Sequence, residues 1–228
     1  MTFDSAGDKV FEPLRNNAVS QRVFNLASKV GDFSVVWHVI GVLCAVSSVI
    51  SFREALSLSL ALGCESLIVN QGIKRMFRRD RPTVSGDERF DVRTPSTSSF
   101  PSGHASSATC AAIILTSFTG MPLAIVWVIV GVVVALSRVV VRIHHLSDIL
   151  GGLVAGAVSM ALGEYVSVSS QRDSEQADIA KEKWELETMP EHELDELTMI
   201  YANKGLPHAM AREVAEELTK NNALATHL

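Results

Sequence analysis

The sequence predicts an all-α fold: a polytopic membrane bundle of five to six helices followed by a small soluble helical tail. Hydrophobic residues make up 47% of the 228 residues and concentrate between positions 33 and 166. There they form successive runs close to the roughly 20 apolar residues that a spanning helix needs. Beyond residue 166 the chain is acidic and lacks such runs. We therefore expect an amphipathic segment (1–30), a membrane core (31–166) and an acidic helical tail (167–228).

The N-terminal segment has the periodicity of an amphipathic helix over residues 9–30. Apolar side chains recur there at spacings of three and four, with polar residues between them. Such a helix can lie in the membrane interface or pack on the bundle, and the sequence favours neither. The first thirty residues contain several charged side chains and no apolar core, so this stretch lacks the pattern of a signal peptide. The first spanning helix is then expected to direct its own insertion.

Five apolar runs predict the spanning helices. They are residues 33–52, 55–73, 104–118, 123–141 and 146–166. The fourth run is rich in Val and Ile, but it is too long for a strand, and lipid demands internally satisfied backbone hydrogen bonds. The fifth run carries Gly152 and Gly156 four positions apart, which permits close approach of a neighbouring helix.

The tail contains the pattern of a short helical hairpin. Pro190 suits the first turn of one helix, and Leu194 and Leu197 begin its apolar stripe. Gly205 suits the cap after that helix, and Pro207 the start of the next. Met210, Val214 and Leu218 are the predicted apolar stripe of the second helix.

Three polar clusters interrupt the apolar runs at their ends, over residues 74–82, 101–104 and 137–148. Three of their cations, Lys74, Arg81 and Arg138, sit near the bilayer edge, where charge is costly and therefore suggests function. The arginine fork matches phosphate oxygens. Ser102 and Gly103 precede a helix, so their backbone N–H groups can point at an anion. Together these groups predict a phosphate-binding site, provided that all three clusters share one membrane face.

Two histidines in these clusters predict the chemistry. His144 and Asp148 are four residues apart, so both lie on one face if a helix begins near His144. Asp148 can then accept a hydrogen bond from one ring nitrogen and leave the other free to attack phosphorus. His104 can supply a proton to the leaving oxygen.

Other polar residues near the clusters have simpler interpretations. Arg75, Arg78 and Arg79 are interpreted as interfacial anchors. His145 is interpreted as structural. Glu65, an acid inside an apolar run, can either hydrogen-bond within the bundle or pair with a site cation.

The three clusters resemble the signature of the type 2 phosphatidic acid phosphatase superfamily. Its pattern is Lys, six residues, Arg-Pro; then Pro-Ser-Gly-His; then Ser-Arg, five residues, His, three residues, Asp. Lys74 with Arg81-Pro82, the stretch 101–104, and Ser137-Arg138 with His144 and Asp148 match it without departure. The resemblance covers roughly residues 55–165. It implies a phosphohistidine on His144 oriented by Asp148 and His104 as the acid. Its implied phosphate ligands are Lys74, Arg81, Ser102, Gly103 and Arg138.

The resemblance also bears on cofactors and on the number of helices. It implies no metal or other cofactor for catalysis. Membrane members of that family commonly have six spanning helices, so the 9–30 segment is a candidate for the sixth.

The tail resembles the cytosolic segment of vacuolar-iron-transporter-like proteins, over 193–207, 211–218 and 222–227. In that family the acidic residues of this segment are associated with divalent metal. A solvated acidic hairpin is the favoured interpretation here. No metal site is therefore predicted.

The sequence thus predicts a membrane hydrolase that removes phosphate from a phosphomonoester or diphosphate of a lipid. The expected partners are that lipid phosphate and the membrane, with homo-oligomerisation allowed; a net charge of −5 argues against nucleic acid. A vanadate-dependent haloperoxidase and a metal-binding or metal-transport membrane protein are the alternatives. Charge bias alone would put the basic loop after Lys74 inside the cell. The two resemblances instead favour a bacterial plasma membrane with an extracytoplasmic site and a cytoplasmic tail.

Overall fold

The structure is a computed structural model that describes residues 2–83 and 86–227, and all regular structure in them is helical. This confirms the predicted all-α class. The helices are α1 (Phe3–Arg15), α2 (Ala18–Val30), α3 (Val35–Val46), α4 (Phe52–Ser66), α5 (Lys74–Met76), α6 (Gly103–Phe118), α7 (Leu123–Val140), α8 (Leu146–Thr188), α9 (Pro190–Asn203) and α10 (His208–His227). The chain forms two compact units, Met1–Gly163 and Glu164–Leu228, and the residues of α8 are divided between them. The predicted domain limits at residues 30 and 166 stay predictions.

Two helices replace the single helix predicted over residues 9–30. Asn17 separates α1 from α2, because its side chain accepts hydrogen bonds from the N–H groups of Val19 and Ser20 and so caps α2. Arg15, the last residue of α1, is fully buried. Its guanidinium donates to the carbonyl of Val140 at 2.9 Å, near the end of α7. The N-terminal helix is therefore attached to the bundle by a buried charged hydrogen bond.

Among the residues that the structure describes, three helical stretches are long and apolar enough to cross a membrane, and a bent pair adds a fourth candidate. The three are Phe52–Met76, Leu123–Val140 and Leu146–Thr188, and the pair is Ala18–Val30 with Asp32–Val46, bent by 67°. The runs predicted at 55–73, 123–141 and 146–166 are among these candidates. Helix α6 has 16 residues and α3 has 12, so both are shorter than the roughly 20 residues usual for a span. Helix α3 is one half of the bent pair, and α2, the second half of the predicted N-terminal segment, is the other.

Serines end α3 earlier than the apolar pattern suggested. The Ser47 hydroxyl donates back to the Leu43 carbonyl at 2.7 Å, and Ser48 has a left-handed backbone with φ of 60°. Ser51 then begins α4 as a capping box, in which it and Glu54 satisfy each other's backbone N–H groups. A hydrophobicity average does not detect the effect of these serines, because it ignores the competition of their side chains for backbone hydrogen bonds.

The stretch between α4 and α5 winds as a π-helix over Leu67–Ile73. Its last hydrogen bond runs from the N–H of Lys74 to the carbonyl of Val69, five residues back. Asn70 and Lys74, within and just after this stretch, both line the cavity described below. A π-helical turn therefore sets the direction in which Lys74 points.

The first unit exposes apolar side chains on its outside and buries a second set within. Its largest buried cluster includes Trp37, Leu58, Leu62 and Leu115, contributed by α3, α4 and α6. Exposed apolar side chains occur along the candidate spans, among them Val39, Leu56, Leu60, Ile129, Val132 and Val154. Large exposed apolar surface of this extent marks a surface covered by membrane rather than water.

Helix α8 packs closely on α6 through the predicted glycine pair. A Cβ at Gly152 would lie 2.4 Å from the carbonyl oxygen of Ser102, and one at Gly156 would lie 2.5 Å from that of Ser106. Only glycine allows this approach, which confirms the predicted packing. It brings the start of α8, with Asp148, beside the start of α6.

The second unit confirms the predicted hairpin in outline. Pro190 opens α9 and Gly205, with φ of 105°, follows its end. Leu197 is buried on α9, but on α10 the buried residues are Ala211 and Ala215, and Met210 is half exposed. The predicted stripe of α10 is therefore displaced by one residue, since small side chains let the two helices approach. Helix α8 continues to Thr188 rather than ending at residue 166, because neither Gly nor Pro occurs between Gly163 and Pro190.

Candidate active site

Residues from all three polar clusters line one cavity of about 700 Å³ in the first unit. Lys74 follows the π-helical turn, Gly103 and His104 open α6, Arg138 ends α7, and His144 precedes α8. The three stretches therefore meet at a common site and share one face of the bundle.

The two nitrogens of the buried His144 ring have different surroundings. Nε2 lies 3.2 Å from Nη1 of Arg81, and a guanidinium can only donate. Nε2 must therefore be the unprotonated nitrogen, and Nδ1 carries the hydrogen. Nδ1 faces the Asp148 carboxylate at 3.5 Å and the Ser99 hydroxyl at 3.4 Å. The arrangement leaves a neutral ring with its lone pair directed toward a cation.

Asp148, which has no exposed surface, is held by donors on both carboxylate oxygens. Oδ2 accepts from the Ser99 hydroxyl at 2.5 Å and from the His145 N–H at 2.8 Å. Oδ1 accepts from Arg79 at 2.7 Å. Arg79 also reaches Asp4 at 2.6 Å, so it bridges α1 to Asp148. The interpretation of Arg79 as an interfacial anchor was wrong, whereas the structural interpretation of His145 agrees with its backbone contact.

The surroundings of His144 favour a neutral imidazole. Burial lowers its pKa, and the charges of Arg81, Arg138 and Lys74 lower it further against the opposing hydrogen bond to Asp148. A neutral ring is the form that can act as a nucleophile.

Arg138 presents unused donors in a buried position. Its side chain is 1% exposed, and its Nη1 donates to the Ser28 hydroxyl. Nε and Nη2 find no hydrogen-bond partner anywhere in residues 2–83 and 86–227. Buried donors that lack a partner are costly, which suggests that an anion completes their bonding.

The other two predicted cations are placed differently. Lys74 lines the cavity and makes no side-chain hydrogen bond or ion pair to the part of the chain that the structure describes. Arg81 donates to the carbonyls of Pro95, Thr97 and Ile143 at 3.0–3.1 Å in addition to its contact with His144. Most donors of its guanidinium are therefore already bonded to the protein. Nη1, which lies beside Nε2 of His144, is the donor that a phosphate on that nitrogen would contact.

Ser102 departs from the predicted role. Its N–H donates to the Asp148 carbonyl at 3.0 Å instead of pointing into the cavity, and its hydroxyl caps α6 by accepting from Ala105. Ser102 thus couples α6 to α8, which the Gly152 contact makes possible. Gly103 lines the cavity as predicted. At the N-terminus of a helix, its N–H has no partner within the helix.

His104 meets a carboxylate that the sequence analysis did not single out. Its Nε2 lies 3.2 Å from Oδ1 of Asp32 and 3.2 Å from the Ser28 carbonyl. Glu65, by contrast, accepts from the Ser106 hydroxyl within the bundle. The first of its two interpretations is thus the one that the structure supports.

Four site residues escaped the motif-based analysis: Asp4, Asp32, Arg79 and Ser99. Asp4 comes from α1 and Asp32 from the bend between α2 and α3, both outside the three clusters, and Arg79 and Ser99 lie in the loop between α5 and α6. An acid between two apolar helices was the available signal for Asp32, since charge near a bilayer is costly. For the other three, only the tertiary fold shows what they contact.

A helical bundle with an apolar exterior and a cavity lined by His104, His144, Lys74 and Arg138 defines an integral membrane protein with an anion site suited to phosphoryl transfer. The chain belongs to the PAP2 superfamily, whose family model matches residues 54–171. Decaprenylphosphoryl-5-phosphoribose phosphatase of Mycobacterium tuberculosis is 34% identical over 148 residues, which cover 64% of this chain and 79% of that protein. The resemblance drawn from the three clusters is thereby confirmed, and with it the class of membrane lipid phosphatase.

A solved structure shares the fold. It is the first transmembrane PAP2 type phosphatidylglycerolphosphate phosphatase from Bacillus subtilis. The two chains superpose with a TM-score of 0.50 at 22% identity, over 71% of this chain and 86% of that one. At this identity the likeness extends to the fold only.

The C-terminal part of the chain is similar to a second family, as the sequence of the tail indicated. The VIT family model matches residues 122–228. A vacuolar iron transporter of Acanthamoeba castellanii is 54% identical over 78 residues, which are 34% of this chain but only 30% of that protein. The chain therefore shares a segment with such transporters and spans less than a third of the length of this relative.

The second unit contains a group of side chains that could hold a metal ion. Ligand atoms of Glu182, Glu193 and His227 all lie within 4.8 Å of one another. Oε1 of Glu182 approaches Nδ1 of His227 to 2.9 Å without the geometry of a hydrogen bond. That oxygen and Nε2 of His227 are buried without a partner in the described residues. Carboxylate and imidazole donors of this kind fit a divalent first-row metal.

Proposed function

We propose that this protein hydrolyses a phosphate ester or diphosphate of a lipid at the cavity lined by His104 and His144. The observation that carries the proposal is Arg138, a buried cation with unpartnered Nε and Nη2, in the same cavity as His144 and Lys74. Bound phosphate would satisfy these donors, and the same donors would stabilise charge on the transferring phosphoryl group.

His144 is the nucleophile in this mechanism. Nε2 attacks phosphorus in line with the leaving oxygen, a P–N bond forms, and the P–O bond to the lipid breaks. Asp148 keeps the hydrogen on Nδ1 and stabilises the positive charge that develops on the ring. Water then hydrolyses the phosphohistidine and restores His144.

The remaining residues divide the work of binding and proton transfer. Lys74, Arg81 and Arg138 neutralise the phosphate oxygens, with the N-terminus of α6 at Gly103 as a further donor. Ser102 supports the site by fixing α6 against Asp148. His104 donates a proton to the leaving oxygen and recovers one from the attacking water, which is typically worth ~10²–10⁴ in rate.

The substrate class we favour is a phosphorylated polyprenyl-linked sugar. The name of the mycobacterial relative specifies such a lipid for that protein. In this chain the cavity continues beyond the cations to other polar side chains, including His38, Ser66, Asn70 and Gln71. These groups suit a headgroup rich in hydroxyls, and the apolar exterior suits a tail that stays in lipid. Phosphatidic acid, phosphatidylglycerol phosphate and polyprenyl diphosphate are the competing substrates.

The test is phosphate release by purified protein in detergent across these four lipids. We expect the greatest kcat/KM with the phosphorylated polyprenyl sugar, activity that survives a metal chelator, and loss of activity in His144→Ala. Acid-quenched wild type should carry phosphate with the acid lability of phosphohistidine. Full activity in His144→Ala would refute the mechanism, and a preference for another lipid would refute the substrate class alone.

We place the protein in a bacterial plasma membrane, with the cavity on the extracytoplasmic face and the tail in the cytoplasm. Reporter fusions at the C-terminus decide this. A fluorescent protein that folds only in the cytoplasm should be active there, and a periplasmic alkaline phosphatase should not. The reverse result would invert the topology. Homo-oligomerisation stays a prediction.

A second function is favoured by the second unit: binding of a divalent metal by Glu182, Glu193 and His227. The unpartnered buried atoms of Glu182 and His227 support it, as does the VIT relationship of the tail. Titration of the whole, chelator-treated protein with Zn²⁺ or Fe²⁺ should show a site that Glu193→Gln abolishes. Glu217→Gln, an exposed change on α10, is the control. Equal binding by both variants would exclude this site.

A further inference from the structure

The second imidazole of the cavity has a carboxylate partner. Oδ1 of Asp32 and the carbonyl of Ser28 both lie 3.2 Å from Nε2 of His104. Both are acceptors, so Nε2 carries the hydrogen and Nδ1 is the nitrogen left for the cavity. His104 thus has the same kind of neighbour as His144, whose partner is Asp148.

An unusual stretch of backbone brings Asp32 to this position. The bent pair α2 and α3 changes direction by 67° around it. Phe33 and Ser34 have φ of 54° and 59°, a left-handed conformation that costs non-glycine residues on the order of 1 kcal/mol or more each. The guanidinium of Arg93 lies over the Phe33 ring at 5.0 Å and stabilises the bend from the loop side.

The bend also packs directly against the imidazole. A Cβ at Gly31 would lie 2.7 Å from Cδ2 of His104, so only glycine lets the chain pass this close to the ring. Ser28 contributes from the same helix: its carbonyl accepts from His104, and its hydroxyl accepts from Arg138. The end of α2 therefore contacts both His104 and the buried cation.

We propose that Asp32 is a positioning residue for His104. It fixes the ring through Nε2–H and stabilises the doubly protonated form, so that Nδ1–H can be delivered to the leaving oxygen. This inference rests on the proposed function, in which His104 is the general acid. When the P–O bond breaks, the proton on Nδ1 passes to the leaving oxygen and His104 becomes neutral. The water that attacks the phosphohistidine returns a proton to Nδ1, and Asp32 stays ionised throughout.

The carboxylate of Asp32 is unexpected beside an anion site. Its negative charge repels phosphate, although the positive charges of Arg138 and Arg93 act on it. If Asp32 merely balanced Arg138 or stabilised the bend, its loss would weaken phosphate binding or folding and affect all substrates alike. Support of a general acid predicts a different result, because only poor leaving groups need protonation.

The experiment therefore compares two substrates of the whole protein in detergent. One is phosphatidic acid, whose alkoxide leaving group needs a proton, and the other is p-nitrophenyl phosphate, whose phenolate does not. Asp32→Asn keeps a hydrogen-bond acceptor and removes the charge. We expect kcat/KM for phosphatidic acid, which reports the steps up to cleavage of the P–O bond, to fall about 10²-fold. For the aryl ester kcat/KM should stay within about threefold, since cleavage of that bond needs no acid.

Four further variants make the outcome specific. His104→Ala should show the same selective loss, and the double variant should lose no more than His104→Ala, because the two residues act as one unit. Asp91→Asn is the matched control, an exposed aspartate in the loop between α5 and α6 that pairs with Lys29 of α2, and it should leave activity on both substrates unchanged. If Asp32→Asn does not purify in folded form, Asp32→Glu takes its place. The ratio of its activity on phosphatidic acid to its activity on p-nitrophenyl phosphate must then exceed the same ratio for His104→Ala.

Equal losses on both substrates, or no loss, would overturn the role of Asp32. So would an Asp32→Glu ratio equal to that of His104→Ala. These results differ from failure of the proposed function. In that case wild type would release phosphate from neither ester, or His144→Ala would remain active.

Discussion

Replacing Arg79 with glutamine tests whether the N-terminal helix takes part in positioning the nucleophile. Arg79 is the donor to Oδ1 of Asp148, and its other arm reaches Asp4 on α1. Glutamine is too short to bridge the two carboxylates, and it carries no charge. Asp148 would keep Ser99 and the His145 N–H on Oδ2 and lose its charged partner on Oδ1.

The size of the effect follows from this geometry. A hydrogen bond to a charged group contributes about 1.5–3 kcal/mol. The Arg79 side chain is 33% exposed, so water can replace part of the interaction, and the lower end of that range applies. About 1.5–2 kcal/mol lost from the transition state corresponds to a fall in activity of about 13- to 30-fold. Because the change acts on orientation of His144 and not on phosphate binding, we expect it in kcat rather than KM.

The assay is phosphate release from phosphatidic acid in mixed micelles, with Arg78→Gln as the matched control. Arg78 precedes Arg79, is exposed, and makes no side-chain hydrogen bond or ion pair within the described ranges. Arg79→Lys, which restores charge but cannot bridge both acids, should recover only part of the loss. Activity of Arg79→Gln within twofold of Arg78→Gln, or a change confined to KM, would refute the reasoning.

Three other predictions concern binding, packing and pH. Arg138→Met should lower activity about 10²–10³-fold while leaving Tm unchanged or higher, because it removes donors that stabilise the transition state but are unsatisfied at rest; a lower Tm with retained activity would contradict it. Gly152→Ala should destabilise the protein by about 1–3 kcal/mol, since its Cβ would meet the Ser102 carbonyl oxygen at 2.4 Å. Gly163→Ala, whose Cβ would meet nothing within 4 Å, is the control, and equal melting temperatures would exclude the effect. The pKa of His144 is lowered in the folded protein, so as pH falls below about 6.5 the imidazole takes up a proton in the unfolded chain before it does so in the folded one. The free energy of unfolding should therefore be at its full value above that pH and fall by up to about 1.4 kcal/mol per pH unit below it. Thermal melts of wild type and His144→Gln in detergent check this, and parallel pH dependences would contradict it.

Motif spacing allowed much of the site to be predicted, because several of its contacts depend on local geometry. The four-residue interval from His144 to Asp148 brings His144, just before α8, beside Asp148 in the first turn of that helix, and Pro-Ser-Gly-His supplies a cap and the N-terminus of α6. The role assigned to the Ser102 N–H failed for a tertiary reason. The glycines of α8 let that helix approach so closely that the Asp148 carbonyl takes this N–H.

Helix ends and long-range partners were harder to predict. The serines after Val46 stop α3 through local hydrogen bonds that a hydrophobicity average ignores, so an apolar run of twenty residues became a helix of 12. Asp4 and Asp32 reach the site only because α1 and α2 fold back onto α7 and α6, and no periodicity encodes that return. Ala211 and Ala215, which the predicted apolar stripe left out, form the contact surface of α10 because their small side chains permit close packing.

The π-helical turn over Leu67–Ile73 has a consequence for how this chain tolerates changes of length. A π-turn accommodates one residue more than an α-helical turn, so deletion of one residue here can be absorbed by a return to ordinary winding that keeps the direction of Lys74. An added residue cannot be absorbed in this way. Each helical residue advances the direction of the side chains by about 100°, so an insertion just before Lys74 would turn it out of the cavity. Residues added before Phe52, on the far side of that helix, would leave Lys74 where it is. Insertions should therefore be tolerated at one end of this helix and abolish phosphate binding at the other.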